Sequence, residues 1–356
     1  MPCFSPMVAS WYGAYTENGK HKMILTRRYD GVNGLMSKYQ EKVVPCGQCI
    51  GCRLDYSRQW ANRMMCELEY HQNAYFVTLT YNDGHLPISY YSDPDTGEAF
   101  ESMTLMPDDL KAFMKRLRDQ QKYHGNDKHI AFFACGEYGG KNLRPHYHLI
   151  LYDIDLPDLK SVGKSNAGEY KYFASEILEK LWSAPAVRPY LQIYRGNSQR
   201  FIKAGEKSPI GNVQVCNVSW ETCAYVARYI VKKQKGQASV YYDTFSLVPE
   251  FTRMSLKPAI GKQYFEDHKG EIYRYDRLYL STAKRGISSR PPAYFDRLFD
   301  AEQPTMMDNL KQDRVRKAQL HLKAQLDKFS GNYFDFLEAQ EKKLHDKAKK
   351  LERSIE

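Results

Sequence analysis

The sequence predicts an α+β protein: an antiparallel central sheet with helices on one face, followed by a helical C-terminal extension. Three observations carry this. Strand-like and helix-like stretches follow one another in the order β-α-β-β-α-β-α, which suits an antiparallel sheet better than a doubly wound parallel one. The two middle strands are joined by Gly136-Glu-Tyr-Gly-Gly140, a Gly-rich connection of the kind that closes a hairpin. Beyond about residue 300 strand signals stop, and charge alternates with Leu322, Leu326 and Phe329 at helical spacing.

Taken in order, Asp55 to His71 carries Trp60, Met64 and Leu68 at four-residue spacing, one face of a helix. Tyr75-Phe-Val-Thr-Leu-Thr-Tyr81 is rich in β-branched and aromatic residues and is closed by Asn82-Asp-Gly84, so it reads as a strand. Residues 91–101 read as loop. Pro107-Asp-Asp opens a helix with proline and acids where the macrodipole favours them, and Leu110, Phe113, Met114 and Leu117 form its buried stripe, ending near His124-Gly125. Ile130 to Cys135 and His146 to Tyr152 are the paired strands. A helix is expected around Tyr172 to Trp182, a strand at Val213 to Val218, and a helix from Trp220 to Lys233.

The chain has 356 residues, 42% of them hydrophobic, which excludes disorder throughout. Its 52 Lys and Arg against 42 Asp and Glu leave a formal charge of +10, favouring a polyanionic partner through counterion release. Tyrosine is abundant at 28, offering flat faces for unpaired bases. No apolar run approaches the roughly 18 residues of a membrane span, and the start lacks the charged and apolar regions of a signal peptide. A soluble, intracellular, cytoplasmic protein without a membrane partner is expected.

His146-Tyr147-His148 is the most informative stretch. Side chains two apart in a strand share a face, so both imidazoles project together while Tyr147 points the other way into packing. Glu137, near the start of the same hairpin, folds back towards them, and two histidines with a carboxylate leave open positions on a divalent ion for phosphate oxygens. On the Trp220 to Lys233 helix Tyr225 and Tyr229 lie at i and i+4, with Arg228 and Lys232 three residues after each. A phenol of pKa about 10 is a poor nucleophile at neutral pH, and nearby cations favour its phenolate. Cys46, Cys49 and Cys52 have ligand-like spacing that Cys66 or Cys3 would complete to a structural zinc site, the alternative being buried free thiols, because a second close pair of cysteines is absent.

Together, Phe76-Val-Thr-Leu-Thr80, the His-hydrophobic-His element within Arg144-Pro-His-Tyr-His-Leu149, and the paired-tyrosine helix resemble motifs I, II and III of the HUH rolling-circle replication initiators. The likeness is to the initiators of the Microviridae, and the cysteine cluster with Arg144-Pro-His-Tyr-His points to their gokushovirus branch. It spans about residue 46 to 233, more loosely through Phe251-Thr-Arg-Met-Ser255 and Gly261.

The resemblance implies an HUH/ferredoxin-like Rep fold in an endonuclease domain at residues 73–240. Around it would lie an N-terminal Cys-cluster segment and helix at 1–72, an extension at 241–302 and a charged helical tail at 303–356. It further implies nicking of single-stranded origin DNA, with a 5′-phosphotyrosine link and a free 3′-OH, and later rejoining. Tyr225 and Tyr229 would be the nucleophiles and Lys232 the charge stabiliser. His146, His148 and Glu137 would hold Mg²⁺ or Mn²⁺, with Arg144, Arg228 and Lys233 on DNA. Gly163-Lys-Ser165 lacks the first glycine of a phosphate-binding loop, because that position is Asp158, so no nucleotide cofactor is expected and strand separation falls to a host helicase beside the host polymerase. Two other functions are compatible with the residues alone: a metal-dependent nuclease using water, and a non-catalytic Cys-cluster nucleic-acid-binding factor.

Overall fold

The computed structural model of the chain describes residues 3–15, 21–29, 40–93, 95–140, 142–164, 171–193, 199–232, 239–282 and 285–352. The chain divides into two compact units, Ser57–Phe295, and Met1–Tyr56 together with Asp296–Glu356.

The frame of the first unit is a seven-stranded sheet, in the order Phe251–Met254, Phe132–Tyr138, Pro145–Tyr152, Ala74–Thr80, Val213–Asn217, Lys171–Ala174 and Lys160–Lys164. Every neighbouring pair is antiparallel. The α+β class and the antiparallel sheet are therefore as the sequence predicts. The histidine strand Pro145–Tyr152 sits inside the sheet, between the strand of its own hairpin and Ala74–Thr80.

Helices cover both faces of this sheet, not one. Val77, Leu79, Leu149, Leu151, Val213 and Val215 point to one side, where they meet Leu110, Phe113, Met114 and Leu117 of the Pro107–Tyr123 helix and Leu178 of the Glu176–Leu181 helix. Phe76, Phe133, Ile150, Tyr152 and Cys216 point to the other, against Trp60, Ala61 and Met64 of the Ile50–Leu68 helix and Cys223, Val226 and Ala227 of the Trp220–Lys232 helix. The reason lies in the strand sequences. Phe-Phe-Ala-Cys and Leu-Ile-Leu-Tyr are apolar at consecutive positions, the pattern of strands buried on both faces, and each face needs its own cover.

The Pro107–Tyr123 helix begins with Pro at its first turn beside Asp108 and Asp109, and its four-residue stripe is buried as expected. Two local readings change. Residues 91–101 contribute to a hairpin, Ile88–Ser92 against Ala99–Met103, with Tyr91 stacked on Phe100 at 5.7 Å. The helix expected around Tyr172 to Trp182 is instead a strand, Lys171–Ala174, then the short helix Glu176–Leu181, whose N-terminus is capped by Ser175 Oγ accepting from Leu178 N at 3.2 Å. Tyr172 is drawn into the sheet by pairing with Cys216.

The second unit holds a three-stranded sheet, Met7–Tyr15 between His21–Arg28 and Gln40–Val44, and the helices Pro304–Leu326 and Tyr333–Glu352. These helices agree with the expected tail, whereas the three strands were not foreseen from sequence. Among the described residues no helix is long and apolar enough to cross a membrane.

His71 ties the end of the first helix to the sheet: Nδ1 lies 2.8 Å from Asp153 Oδ2 and Nε2 3.1 Å from Glu67 Oε1. Burial pulls the imidazole pKa down, but the two carboxylates outweigh it and the net shift is upward. A raised folded-state pKa contributes stability that is full below about pH 6.5 and fades as pH rises through the folded value. His71→Gln is therefore expected to cost about 1 kcal/mol at pH 6 and less at pH 9, measured by urea unfolding at both; an equal or larger cost at pH 9 contradicts the ion-pair reading.

Candidate metal centre and nucleophile helix

Strand register positions the site. Glu137 stands across from His146 and Cys135 across from His148 on one side of the histidine strand, while Thr78 stands across from His148 and Thr80 from His146 on the other. Alternation turns Glu137, His146 and His148 to the face covered by the Trp220–Lys232 helix. Glu137 Oε1 lies 2.6 Å from His146 Nε2 and 3.0 Å from His148 Nε2.

Both outer ring nitrogens are engaged. His146 Nδ1 is 3.1 Å from the Arg144 carbonyl oxygen, and His148 Nδ1 is 3.0 Å from Thr78 Oγ1. A carbonyl only accepts, so the His146 Nδ1 carries a proton; Nε2 faces the Glu137 carboxylate, donating to it when protonated, and once deprotonated it is the atom that would bind an ion. Thr78, not among the site residues expected from sequence, holds the second ring through a hydroxyl that can either donate or accept. Its signal was present: it lies in the Phe76–Thr80 stretch, one strand over from His148.

The Glu137 side chain is 2% exposed and that of His148 5%, whereas His146 at 19% forms the open rim. Burial pushes the Glu137 carboxyl up, but hydrogen bonds with His146 and His148 outweigh it and hold it down at about 2. The carboxylate is ionised at neutral pH. All three donor atoms lie within 4.8 Å of one another. Separations of 2.6 and 3.0 Å resemble the ~3 Å between neighbouring ligands of an octahedral ion with bonds of about 2.1 Å. The group could therefore hold a divalent metal ion, with coordination positions to spare.

The strand is clamped from behind. Tyr147 points away from the metal face, is fully buried, donates to the Met106 carbonyl at 2.8 Å and accepts from Met106 N at 2.9 Å. Burial raises its phenol pKa above the ordinary range. Gly136, just before Glu137, allows close packing on that rear side: a Cβ there would come within 2.9 Å of the Phe251 ring.

The tyrosine helix starts at a reciprocal cap, Ser219 N donating to Thr222 Oγ1 at 2.8 Å and Thr222 N to Ser219 Oγ at 3.2 Å. Half-buried Tyr225 then lies over the site, its ring centroid 5.3 Å from that of His148 at 79° and 6.0 Å from Phe76 at 83°. Phe76 itself stacks on His148 at 5.6 Å, so three rings fix one another. The Arg228 guanidinium lies 5.8 Å from the Tyr225 ring centroid. Tyr229 and Lys232 belong to the same helix, but their side chains, and all of Lys233, lie outside the described residues. Arg144 donates from Nε to the Tyr81 carbonyl at 3.1 Å and from Nη2 to Asp83 Oδ1 at 2.7 Å, buttressing the turn beside the centre.

Cys46, Cys49 and Cys52 come together as expected, and the fourth thiol in their group is Cys3. Cys66 is not part of it. It is fully buried in the Ser57–Phe295 unit, where burial raises its thiol pKa well above the usual range. A helix advances about 1.5 Å per residue, and the Ile50–Leu68 helix carries Cys66 far along its axis from Cys52. Cys3 had no spacing signal because it lies 43 residues before Cys46.

The model of the family described as replication-associated protein ORF2/G2P matches residues 74–234, a span that starts with the Ala74–Thr80 strand and encloses Thr78, Glu137, His146, His148, Tyr225 and Tyr229. The chain is similar to replication-associated protein ORF2 of Spiroplasma virus 4, 31% identical over 317 residues, or 88% of this chain and 85% of that protein. It is also similar to replication-associated protein VP4 of Bdellovibrio phage phiMH2K, 26% identical over 68% of this chain and 64% of that one, and to replication-associated protein ORF4 of Chlamydia phage 1, 24% identical over 71% and 52%. No solved structure matches the chain.

Thr78→Val keeps the strand-compatible shape and removes the oxygen at His148 Nδ1. We expect Mn²⁺ affinity, titrated calorimetrically, to fall about 10-fold or more with the unfolding midpoint little changed; unaltered affinity would show that Thr78 does not orient the ring.

Proposed function

The chain belongs to the replication-associated protein ORF2/G2P family, and we propose that it starts rolling-circle replication by nicking one strand of origin DNA through tyrosine transesterification of the HUH type. The observation that carries this reading is the placement of Tyr225, 5.3 Å ring to ring from His148, over the face on which His146, His148 and Glu137 converge.

In this reading the Tyr225 oxygen attacks the scissile phosphorus. The phosphotyrosine bond forms as the phosphorus–O3′ bond breaks, and the departing O3′ takes up a proton to become a primer 3′-OH. Mg²⁺ or Mn²⁺, when bound by Glu137, His146 and His148, supplies Lewis-acid polarisation of the phosphate. Arg228 and Lys232 favour the phenolate over the phenol and offset charge building on the phosphate. Tyr229, one helical turn on, takes the second cut, and the free 3′-OH then attacks the first phosphotyrosine to rejoin the strand. One phosphodiester is exchanged for another at each step, so no nucleotide is consumed.

The chemistry is assigned to residues 73–240, in an HUH/ferredoxin-like arrangement. Arg144, Arg228 and Lys233 are assigned to the DNA backbone, host helicase and polymerase to strand separation and synthesis, and the bacterial cytoplasm to the site of action. The excess of positive charge on the chain supports a nucleic-acid partner.

The test is incubation with labelled single-stranded origin DNA and Mn²⁺, followed by denaturation. A covalent protein–DNA adduct is expected, reduced at least about 100-fold when both nucleophiles are removed in Tyr225→Phe/Tyr229→Phe. Cleavage without an adduct would replace the proposal with water attack, and DNA binding without cleavage would replace it with a non-catalytic factor.

A further inference from the structure

We propose that Cys3, Cys46, Cys49 and Cys52 form a tetrathiolate zinc site that fastens the start of the chain to the first turn of the Ile50–Leu68 helix and completes the small core of the Met1–Tyr56 and Asp296–Glu356 unit. This inference is independent of the nicking reading.

Four sulfurs lie within 4.8 Å of one another. The Cys3 and Cys49 Sγ atoms are 4.0 Å apart, close to the ~3.8 Å edge of a tetrahedron with zinc–sulfur bonds of about 2.3 Å. The backbone is already shaped around thiolates. Cys46 N donates to Cys3 Sγ at 3.2 Å, Phe4 N to Cys49 Sγ at 3.3 Å, and Gln48 N and Cys49 N to Cys46 Sγ at 3.4 and 3.3 Å. A neutral thiol is a weak acceptor, and four amides turned onto three sulfurs suit anionic sulfur. The turn that presents the Gln48 and Cys49 amides runs through Gly47 at φ +70, a conformation that favours glycine. Binding releases the remaining thiol protons to solvent and leaves a net charge of −2 on the tetrathiolate, which these amide dipoles offset. An all-sulfur set selects zinc over the hard ions suited to the histidine and carboxylate centre.

The unit also has a use for a staple. The buried side chains of its helix-packing cluster are Phe4, Phe336 and Leu337, with Cys49 and Ile50 partly buried against them. Leu322, Leu326, Phe329, Tyr333 and Leu344 also pack on this cluster, and a metal held beside it would add its binding free energy to the folding of the unit. Cys3 immediately precedes Phe4, so ligation at Cys3 places that phenyl ring in its packing position.

The full-length chain should retain about one zinc per molecule after treatment with a weak chelator. After exchange with cobalt it should show the intense visible bands and thiolate-to-cobalt charge transfer of a tetrahedral sulfur site, signals a histidine and carboxylate centre does not give. Cys3→Ser should lower retained zinc at least 10-fold and lower the unfolding temperature, Cys3→His should restore much of the metal, and Cys66→Ala should keep the full cobalt spectrum. The wild-type spectrum reads the site even if Cys3→Ser fails to fold. Absence of the charge-transfer band, a Cys3–Cys49 disulfide in the purified protein, or loss of zinc in Cys66→Ala with retention in Cys3→Ser would overturn it.

Discussion

One carboxylate oxygen shared between two imidazole nitrogens is the constraint on which the rest of the site depends. Glu137 is buried and ionised, and a buried charge is tolerated only when it is paired and hydrogen-bonded. Both partners come from the neighbouring strand, so the compensation exists only in one register. A slip of one residue between Phe132–Tyr138 and Pro145–Tyr152 would turn the side chains of the Phe132–Tyr138 strand to the opposite face, leaving Glu137 among the apolar residues behind the sheet and Gly136 or Tyr138 across from His146. What holds the register is the apolar packing on both faces. The core is therefore a positional device for three polar atoms as well as the source of stability.

The two faces of the sheet have different tasks. Behind it, Tyr147 is locked to Met106 and the Pro107–Tyr123 helix packs over Leu149 and Leu151, which keeps the histidine strand from shifting. In front, the Trp220–Lys232 helix lays Tyr225 across His148 and Phe76. The nucleophile assigned here and the metal-ligand candidates are thus borne on separate rigid elements that meet through aromatic contacts, an arrangement suited to gripping a phosphate between a helix and a strand. His146, the most exposed of the three donors, marks the side on which the centre opens to solvent.

Much of this could be read from residue spacing. Two histidines at period two fixed a common face, and the Tyr225 helix starts at Trp220 as expected, whereas Gly136 to Tyr138, expected in the connection, belong to the strand Phe132–Tyr138, whose register with His146 brings Glu137 to that face. The parts that could not be read depend on contacts with no local period. An apolar run such as Phe132 to Cys135 identifies a strand but does not by itself say that a second helix layer lies against it. Ile88–Ser92 and Ala99–Met103 form an exposed hairpin whose polar positions read as loop, and Tyr172 prefers a strand only because Cys216 stands opposite. Cys3 joins its cluster through chain closure over 43 residues, which no spacing rule anticipates.

The claim most exposed to refutation is that Glu137, His146 and His148 share one ion. Pulsed electron paramagnetic resonance of the Mn²⁺-loaded full chain tests it directly. The account predicts hyperfine couplings from two coordinated imidazole nitrogens, reduced to one in His146→Ala and again to one in His148→Ala. A spectrum without nitrogen coupling, or one that neither substitution changes, would contradict it.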